Sequence, residues 1–226
     1  MISVRVEKAN PLNGPMGTRQ LTPELVLVGA VQGWFPMSVP TGLGREDVHW
    51  FAPDPRTNLP ICGFRVSRSL GRRLRRGEYE IRFDTAYEAV MRACIRPSDN
   101  WISEEFVETY TEFFRLGFGH CAEVWFEGEL VGGVYGFAVG GFFSAESMFH
   151  RRTDASKVAL WALMERCREL GMELFDVQYQ TSHLASLGAV EISRAEYERT
   201  LGRAVRRRPV WSPALPAEFL ALALPG

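Results

Sequence analysis

Apolar positions along this chain fall into short blocks whose period switches between that of a helix and that of a strand. Thr22 can cap a helix whose first turn accepts Pro23, and the apolar run from Leu25 to Val31 predicts its body, ending at Gly33. Pro36, Pro40, Pro53, Pro55 and Pro60, set among aromatic residues, forbid a regular helix over 34–60 and predict a packed loop-and-strand segment. Thr85-Ala-Tyr-Glu88 reads as a capping box opening a helix that presents Ala86, Ala89, Val90 and Ala93 to a core. Another helix is predicted from about Ser103, with Glu104 and Glu105 at its positive end and Phe106, Tyr110, Phe113 and Phe114 on one side. From Ala122 to Phe143 the pattern is that of an antiparallel meander, turning at Glu127-Gly-Glu129.

Further on, Asp154 is expected to cap a helix with the stripe Leu160, Leu163, Met164, Cys167 and Leu170, stopped by Gly171. Glu173 to Gln178 predicts a strand, and Ser193-Arg-Ala-Glu196 a second capping box whose helix stops near Gly202. Residues 1–20, rich in Asn, Pro and Gly, read as an irregular lead-in; residues 203–226, with Arg206-Arg-Arg208 and four prolines, read as a poorly ordered tail. Helices and antiparallel strands in blocks argue for the α+β class.

Composition sharpens this picture. The 226 residues are 46% hydrophobic, 12% aromatic and 23% charged, enough for a substantial core and unlike a disordered chain. No apolar run reaches the ~18 residues of a membrane span, so a soluble, cytoplasmic protein with no membrane partner is expected. Four scattered cysteines and four dispersed histidines show neither C-x-x-C nor zinc-ligand spacing, so neither a metal nor disulfides are expected. The formal net charge of −1 is a cancellation, not an even mixture. Seven arginines meet two glutamates between Arg65 and Arg82, whereas Asp99 to Glu129 holds eight acids and only Arg115. The arginine run fits either a phosphate footprint or a solvated helix face.

Three polar residues stand out in apolar surroundings. Glu146, within Gly140-Gly-Phe-Phe-Ser-Ala-Glu-Ser-Met-Phe149, must find a partner and is either a structural ion-pair member or a site residue. Asp176 and Gln178 fall on one face of a buried strand by its period of two, as a site or as satisfied core hydrogen-bonders. His183 follows them in support. Gly132-Gly133 and Gly140-Gly141 lack nucleotide-loop spacing and are expected inside strands, as bulges or close backbone approaches.

These residues resemble a family. Val131-Gly-Gly-Val-Tyr-Gly136, Ala145-Glu-Ser-Met-Phe149, Asp154-Ala-Ser-Lys-Val-Ala-Leu160, Asp176-Val-Gln178 and His183-Leu-Ala-Ser-Leu-Gly-Ala-Val-Glu-Ile-Ser-Arg194 occur in the order found in leucyl/phenylalanyl-tRNA–protein transferases. His49-Trp-Phe-Ala-Pro-Asp-Pro-Arg56, Val66-Ser-Arg-Ser-Leu70 and Trp101-Ile-Ser103 fit upstream, so the resemblance spans roughly residues 21–201. It implies a GNAT-like acyltransferase domain with a mixed, largely antiparallel sheet flanked by helices, at residues 61–202. A small N-terminal domain at 1–60 would precede it and a tail at 203–226 would follow. The implied activity moves leucine or phenylalanine, less well methionine, from aminoacyl-tRNA to the α-amino group of proteins beginning with Arg or Lys, for bacterial N-degron proteolysis. No cofactor is expected, and a monomer is. A coenzyme-A enzyme would need a Q/R-x-x-G-x-G/A loop before the Asp154 helix, which is missing here. A non-catalytic tRNA- or RNA-binding module is the other alternative.

By the same resemblance, Trp101 would stack on the terminal adenine, and Arg68, Arg75 and Arg76 would touch acceptor-end phosphates. Val134, Phe143, Met148, Leu160, Cys167 and Phe175 would hold the donor side chain. Glu146, Asp176 and Gln178 would form the catalytic centre beside the ester, and both acids are candidates to recognise the acceptor's cationic N-terminal residue. The sequence departs from the family at Met37, where the usual Phe-Pro-Trp reads Phe35-Pro-Met37, so Trp34 is expected to supply the second aromatic platform. Ala145 replaces a common Gly, Cys167 a larger pocket residue, and Gly17-Thr-Arg-Gln-Leu21 stands for Gly-Gly-Asp-Leu.

Overall fold

Thr22 starts the first helix as its sequence predicts: its hydroxyl accepts from the Leu25 N–H at 3.3 Å, Pro23 fits the first turn, and α1 runs Pro23–Val31. The computed structural model describes residues 21–40, 46–97, 100–208, 211–215 and 217–224. The expected lead-in over residues 1–20 lies outside the described residues. After α1 come β1 (Phe35–Pro40), β2 (Glu46–Phe51), β3 (Arg56–Asn58), α2 (Arg68–Arg76), β4 (Glu80–Phe83), α3 (Tyr87–Ala93) and α4 (Glu104–Arg115). Three strands follow, β5 (Gly119–Phe126), β6 (Glu129–Val139) and β7 (Phe142–His150). The chain continues through α5 (Ala155–Glu169), β8 (Leu174–Gln178), α6 (Ser182–Ser186), β9 (Val190–Ile192), α7 (Arg194–Ala204) and α8 (Ala217–Leu222).

β1 and β2 form an antiparallel ribbon of their own, while seven strands make one sheet in the order β4-β5-β6-β7-β8-β3-β9. Its pairings are antiparallel except β7 with β8, which α5 joins by the crossover that parallel pairing requires. The fold is therefore α+β with a mixed, largely antiparallel sheet flanked by helices. Arg56–Asn58 lie on the N-terminal side of the boundary expected at residue 60, yet pair with both β8 and β9. The N-terminal segment thus lends a strand to the large sheet.

Strand alternation divides the core in two. Cys121, Tyr135 and Phe142 pack with residues of α1, α3, α4 and α7, whereas their neighbours Ala122, Val134 and Phe143 pack with α5. Of the stripe predicted for α5, Leu160, Leu163, Met164 and Cys167 are buried, Leu170 is half-buried just past the helix end, and Gly171 follows at φ +69°. Gly132, Gly133 and Gly136 do mark close approaches, since a Cβ on Gly136 would stand 1.9 Å from the Ser144 carbonyl oxygen. Gly140 and Gly141 instead form the turn between β6 and β7, where Gly140 has φ +59°.

Local capping signals were overridden in two places. The capping box expected at Thr85 does not form. Glu123 of β5, fully buried, accepts from the backbone N–H groups of Thr85 (2.6 Å) and Ala86 (2.7 Å), from the Thr85 hydroxyl, and from the Trp125 indole at 3.0 Å. A buried carboxylate needs these donors, so the tertiary acceptor wins over the local one. The helix then buries Tyr87, Val90 and Met91, and Ala89 is exposed. Asp154, at φ +64°, makes no capping bond and pairs with Lys157 (2.9 Å) and Arg73 (3.7 Å).

The tail also differs from its sequence reading. Helix α7 runs past Gly202 to Ala204, and Arg206 donates to the carbonyl oxygens of Gly202, Leu220, Ala223 and Leu224. Trp211 stacks on His120 at 4.2 Å and on Phe143 at 5.9 Å. A guanidinium with five donors can gather carbonyls that no hydrophobic pattern announces.

Glu123→Ala should lower the unfolding free energy by about 2–4 kcal/mol, because several buried donors lose their acceptor at once. Urea denaturation checks it; a loss under ~0.5 kcal/mol means that Glu123 is not the cap described.

Candidate active site

The site is built around a buried charge pair joining β3 to β8. Asp176 is fully buried; its Oδ1 accepts from Arg56 Nε at 2.9 Å and its Oδ2 from Arg56 Nη2 at 2.5 Å. The Tyr197 hydroxyl of α7 donates to Oδ2 at 3.0 Å, and the Gln178 backbone N–H donates to Oδ1 at 3.0 Å. Four donors thus use the carboxylate completely. Arg56 lies between the rings of Phe35 (4.6 Å) and Tyr197 (4.7 Å), and its Nη1 donates to the Gly33 carbonyl at 3.2 Å. Burial alone would lower its pKa, but the facing Asp176 more than offsets this and holds the guanidinium charged.

The same carboxylate shapes the end of β8. Asp176 bonding the N–H two residues on makes an Asx turn, and Gln178 leaves the strand with φ +59°, in the left-handed region that side-chain-bearing residues seldom adopt. This turn, more than the period of two, sets where the Gln178 amide points. On β7 the register skips one residue: Tyr135 faces Ser147 and Gly136 faces Ala145, leaving Glu146 as the extra residue of a bulge.

Ser144 links the two side chains, and the Gln178 amide is better satisfied in one of its two orientations. With its nitrogen toward Ser144, Gln178 Nε2 donates to Ser144 Oγ at 2.9 Å and Ser144 donates to Glu146 Oε1 at 2.7 Å, but the amide oxygen then faces only the Ala145 and Val177 carbonyl oxygens. Turned over, the amide nitrogen donates to the carbonyls of Ala145 (3.1 Å) and Val177 (3.2 Å), and the amide oxygen accepts from Ser144. The second arrangement satisfies more groups, but Ser144 has one proton to give, so Glu146 must then be the donor to Ser144. Glu146 suits this state. Burial pushes its carboxyl up to about 7, with Asp176 adding to the rise and the bond from Ser144 opposing it. The protonation of Glu146 and the orientation of the Gln178 amide are therefore coupled through one hydroxyl.

Glu146 and Gln178 open onto a pocket of about 420 Å³ that also touches Trp101, Met37, Met148, Phe35, Tyr179 and His183. Glu146 is the only acid among its described lining residues. Asp176 does not reach it, so of the two carboxylates expected to meet a cationic acceptor, only Glu146 is placed to do so. Trp34 lies outside the pocket with the Arg194 guanidinium 5.2 Å over its ring; the aromatic walls near Met37 are Phe35 and Tyr179. Phe35 and Met37 share one face of β1, which explains why the residue before Phe35 cannot take the place of an aromatic at 37. Val134, Phe143, Leu160, Cys167 and Phe175 are buried together in the core cluster that Met148 borders, Phe143 stacked on Phe175 at 5.2 Å.

The arginine run forms α2, capped by Ser67 and ended by Gly77 at φ +62°. Arg68, Arg72 and Arg75 fall on one face, line a groove of about 580 Å³, and have no ion-pair partner among the described residues. Arg76 instead pairs with Glu78 at 3.4 Å. Sequence reasoning did not single out Arg56, Tyr197, Ser144 or Tyr179; only the need of a buried Asp176 for a cation hinted at the first. Among the described residues, no three His, Cys, Asp or Glu side chains are grouped to hold a metal.

Residues 59–202 match the family model described as leucyl/phenylalanyl-tRNA protein transferase. Among similar curated proteins named leucyl/phenylalanyl-tRNA–protein transferase, that of Herpetosiphon aurantiacus is 46% identical over 192 residues, 84% of this chain and 97% of its own length. That of Ruegeria pomeroyi is 48% identical, covering 82% of this chain and 87% of its own, and that of Gloeobacter violaceus 44%, covering 88% and 97%. Among solved structures, L-PGS from Bacillus licheniformis is 12% identical with a TM-score of 0.40, over 67% of this chain and 50% of that one.

Two outcomes follow from the charge pair and its neighbour. Arg56→Met strands a buried carboxylate and should cost about 3–5 kcal/mol, whereas Tyr197→Phe removes one donor of four and should cost about 1 kcal/mol. Equal losses for the two variants in urea would contradict the hierarchy. Because folding raises the Glu146 pKa from 4.5 to about 7, its contribution to stability is complete below about pH 4.5 and is lost as pH rises through about 7. Glu146→Gln should be less sensitive to pH over that window in thermal melts, and parallel profiles would refute the raised carboxyl.

Proposed function

Because the chain belongs to the leucyl/phenylalanyl-tRNA–protein transferase family, tRNA-dependent aminoacyltransferases, we propose that it moves leucine or phenylalanine, less well methionine, from aminoacyl-tRNA to proteins beginning with Arg or Lys. It would act in the cytoplasm as a monomer, feeding a bacterial N-degron pathway. The observation that carries this reading is the pocket in which a tryptophan platform, Trp101, meets Glu146 and Gln178. Among the described residues no helix is long and apolar enough to cross a membrane.

The reaction is aminolysis of an ester. The acceptor nitrogen forms a C–N bond to the aminoacyl carbonyl carbon, the C–O bond to the terminal ribose breaks, and the ribose oxygen leaves with a proton while the nitrogen gives one up. An α-amine with a pKa of ~7.7–8.0 is partly neutral at pH 7, so little base strength is needed. The Gln178 amide oxygen, accepting from Ser144 with one lone pair, offers the other to the attacking amine and so orients it. Glu146, protonated in that arrangement and with its carboxyl pushed up to about 7, is matched to giving a proton to the leaving ribose oxygen and regaining one from the amine at neutral pH. Asp176 acts through others: locked by Arg56, it holds the turn that aims Gln178.

Trp101 is assigned to the terminal adenine, and Arg68, Arg75 and Arg76 to acceptor-stem phosphates. The donor side chain is assigned to the apolar wall at Met148, backed by Val134, Phe143, Leu160, Cys167 and Phe175. Each buried CH₂ there is worth ~0.8 kcal/mol, which favours Leu and Phe over small residues.

Labelled leucine should pass from leucyl-tRNA to a peptide with N-terminal Arg and not to its Ala counterpart. Gln178→Ala should lower kcat by about a hundredfold, with the tRNA dissociation constant changed less than about threefold. Absence of label on the Arg peptide while tRNA still binds would leave a non-catalytic tRNA-binding module.

A further inference from the structure

A second cleft adjoins the pocket and shares Arg96, Met148 and His183 with it. It encloses about 620 Å³, is lined further by His150, Arg151, Arg152 and Lys157, and has Asp154 as the lone acid among its described lining residues. That acid is already engaged by Lys157 and Arg73. The guanidinium groups are seated on aromatic faces rather than on carboxylates: Arg152 lies 3.6 Å over the Phe126 ring and Arg151 5.4 Å over Phe149, with its Nη1 donating to the Leu130 carbonyl at 3.1 Å. Arg96 is exposed and has no partner among the described residues. Among the described residues, three arginines therefore face the cleft without a counter-charge, an arrangement that repels itself unless an anion arrives.

Two further observations extend this field. His183, on the shared wall, has its pKa lowered by burial first and then by Lys157 and His150. The rim of the cleft is tied to the arginine helix, because Arg73 of α2 reaches Asp154 at 3.7 Å and the Tyr79 hydroxyl donates to the Thr153 carbonyl at 3.0 Å. Uncompensated positive charge thus runs from Arg68, Arg72 and Arg75 to the cleft and on to the wall it shares with the Glu146–Gln178 pocket.

We propose that Arg96, Arg151, Arg152 and Lys157 form a binding site for nucleic-acid backbone phosphate, taking the phosphates that precede the terminal aminoacyl-adenosine of the donor. The inference rests on the tRNA-dependent reading and adds to it the exit path of the strand. An ester placed beside Gln178 with its adenine on Trp101 puts the sugar in the pocket, and the phosphate on that sugar must leave through an edge. The shared wall carries Arg96, and the cleft beyond it carries Arg151 and Arg152, none of them with a carboxylate partner among the described residues; their forked donors match two phosphate oxygens as a lysine cannot. Contacts of this kind position the strand and carry no base information, which suits the same terminal sequence on every tRNA.

The probe is a CCA trinucleotide carrying a 5′ fluorophore, its binding followed by anisotropy across a salt series. The Arg151→Gln/Arg152→Gln double variant should bind about tenfold more weakly, and the slope of log Kd against log salt should fall by about 1.4, from two single-strand phosphate contacts at ~0.7 each. Arg96→Gln, at an exposed position, should show the same trend at about half the size and guards against misfolding of the double variant, which its melting temperature also reports. Adenosine, which lacks phosphate, should compete equally against wild type and variants. An unchanged salt slope in both variants overturns the proposal, as does coenzyme A displacing the probe more tightly than unlabelled trinucleotide. Should wild type bind the probe through these arginines yet transfer no leucine to the Arg peptide, the transferase reading alone falls. Should it transfer leucine while the variants keep wild-type salt slopes, the cleft proposal alone falls.

Discussion

The arrangement of this site depends on one buried ion pair. Arg56 and Asp176 are placed where neither charge has water, and each is tolerated only because the other and four additional groups surround it: Phe35, Tyr197, Gly33 and the Gln178 N–H. Together with the pair itself, those groups come from four separated stretches of sequence, around residues 33–35, 56, 176–178 and 197. The pair therefore fixes the position of the β1–β2 ribbon against the large sheet, and with it Phe35 and Met37 on the pocket wall. Removing either partner would leave a bare charge and a ribbon without its anchor.

Around that pair the backbone departs from regularity at the points where side chains must be re-aimed. A bulge isolates Glu146 on β7 opposite Gly136, where no Cβ fits, and an Asx turn releases Gln178 from β8. Ser144 sits between them as a one-proton link, which makes the amide of one residue sensitive to the acid state of the other. The large sheet supplies the rigid frame; the irregularities aim the polar side chains into the pocket.

Much of this was legible in the sequence, and the limits have physical causes. The class of the fold, the meander, the α5 stripe and the Thr22 and Ser193 caps follow from local period and local hydrogen bonding, which a single sequence carries in full. Glu146 and Gln178 were visible as polar groups out of keeping with their surroundings. The cap at α3 has no local signature because its acceptor, Glu123, lies 38 residues from Thr85. Arg206 carries no mark of its role for the same reason, since its carbonyl partners lie up to 18 residues away. Arg56 is 120 residues from Asp176, and nothing in its neighbours marks it. Long-range polar partners leave no periodic trace, whereas apolar faces do.

The left-handed backbone at Gln178 has a consequence for how this protein can be improved. Glycine would suit that φ better than any residue with a side chain, and asparagine nearly as well, so the position is held by a residue its own backbone disfavours. A selection for thermal resistance alone would drift toward relief of that strain and lose the amide that the proposed reaction uses. With Gln178 orienting the amine as proposed, evolution under a requirement for turnover must instead retain the disfavoured residue and recover the lost stability elsewhere, so that proposed role sets durability against activity at a single dihedral angle.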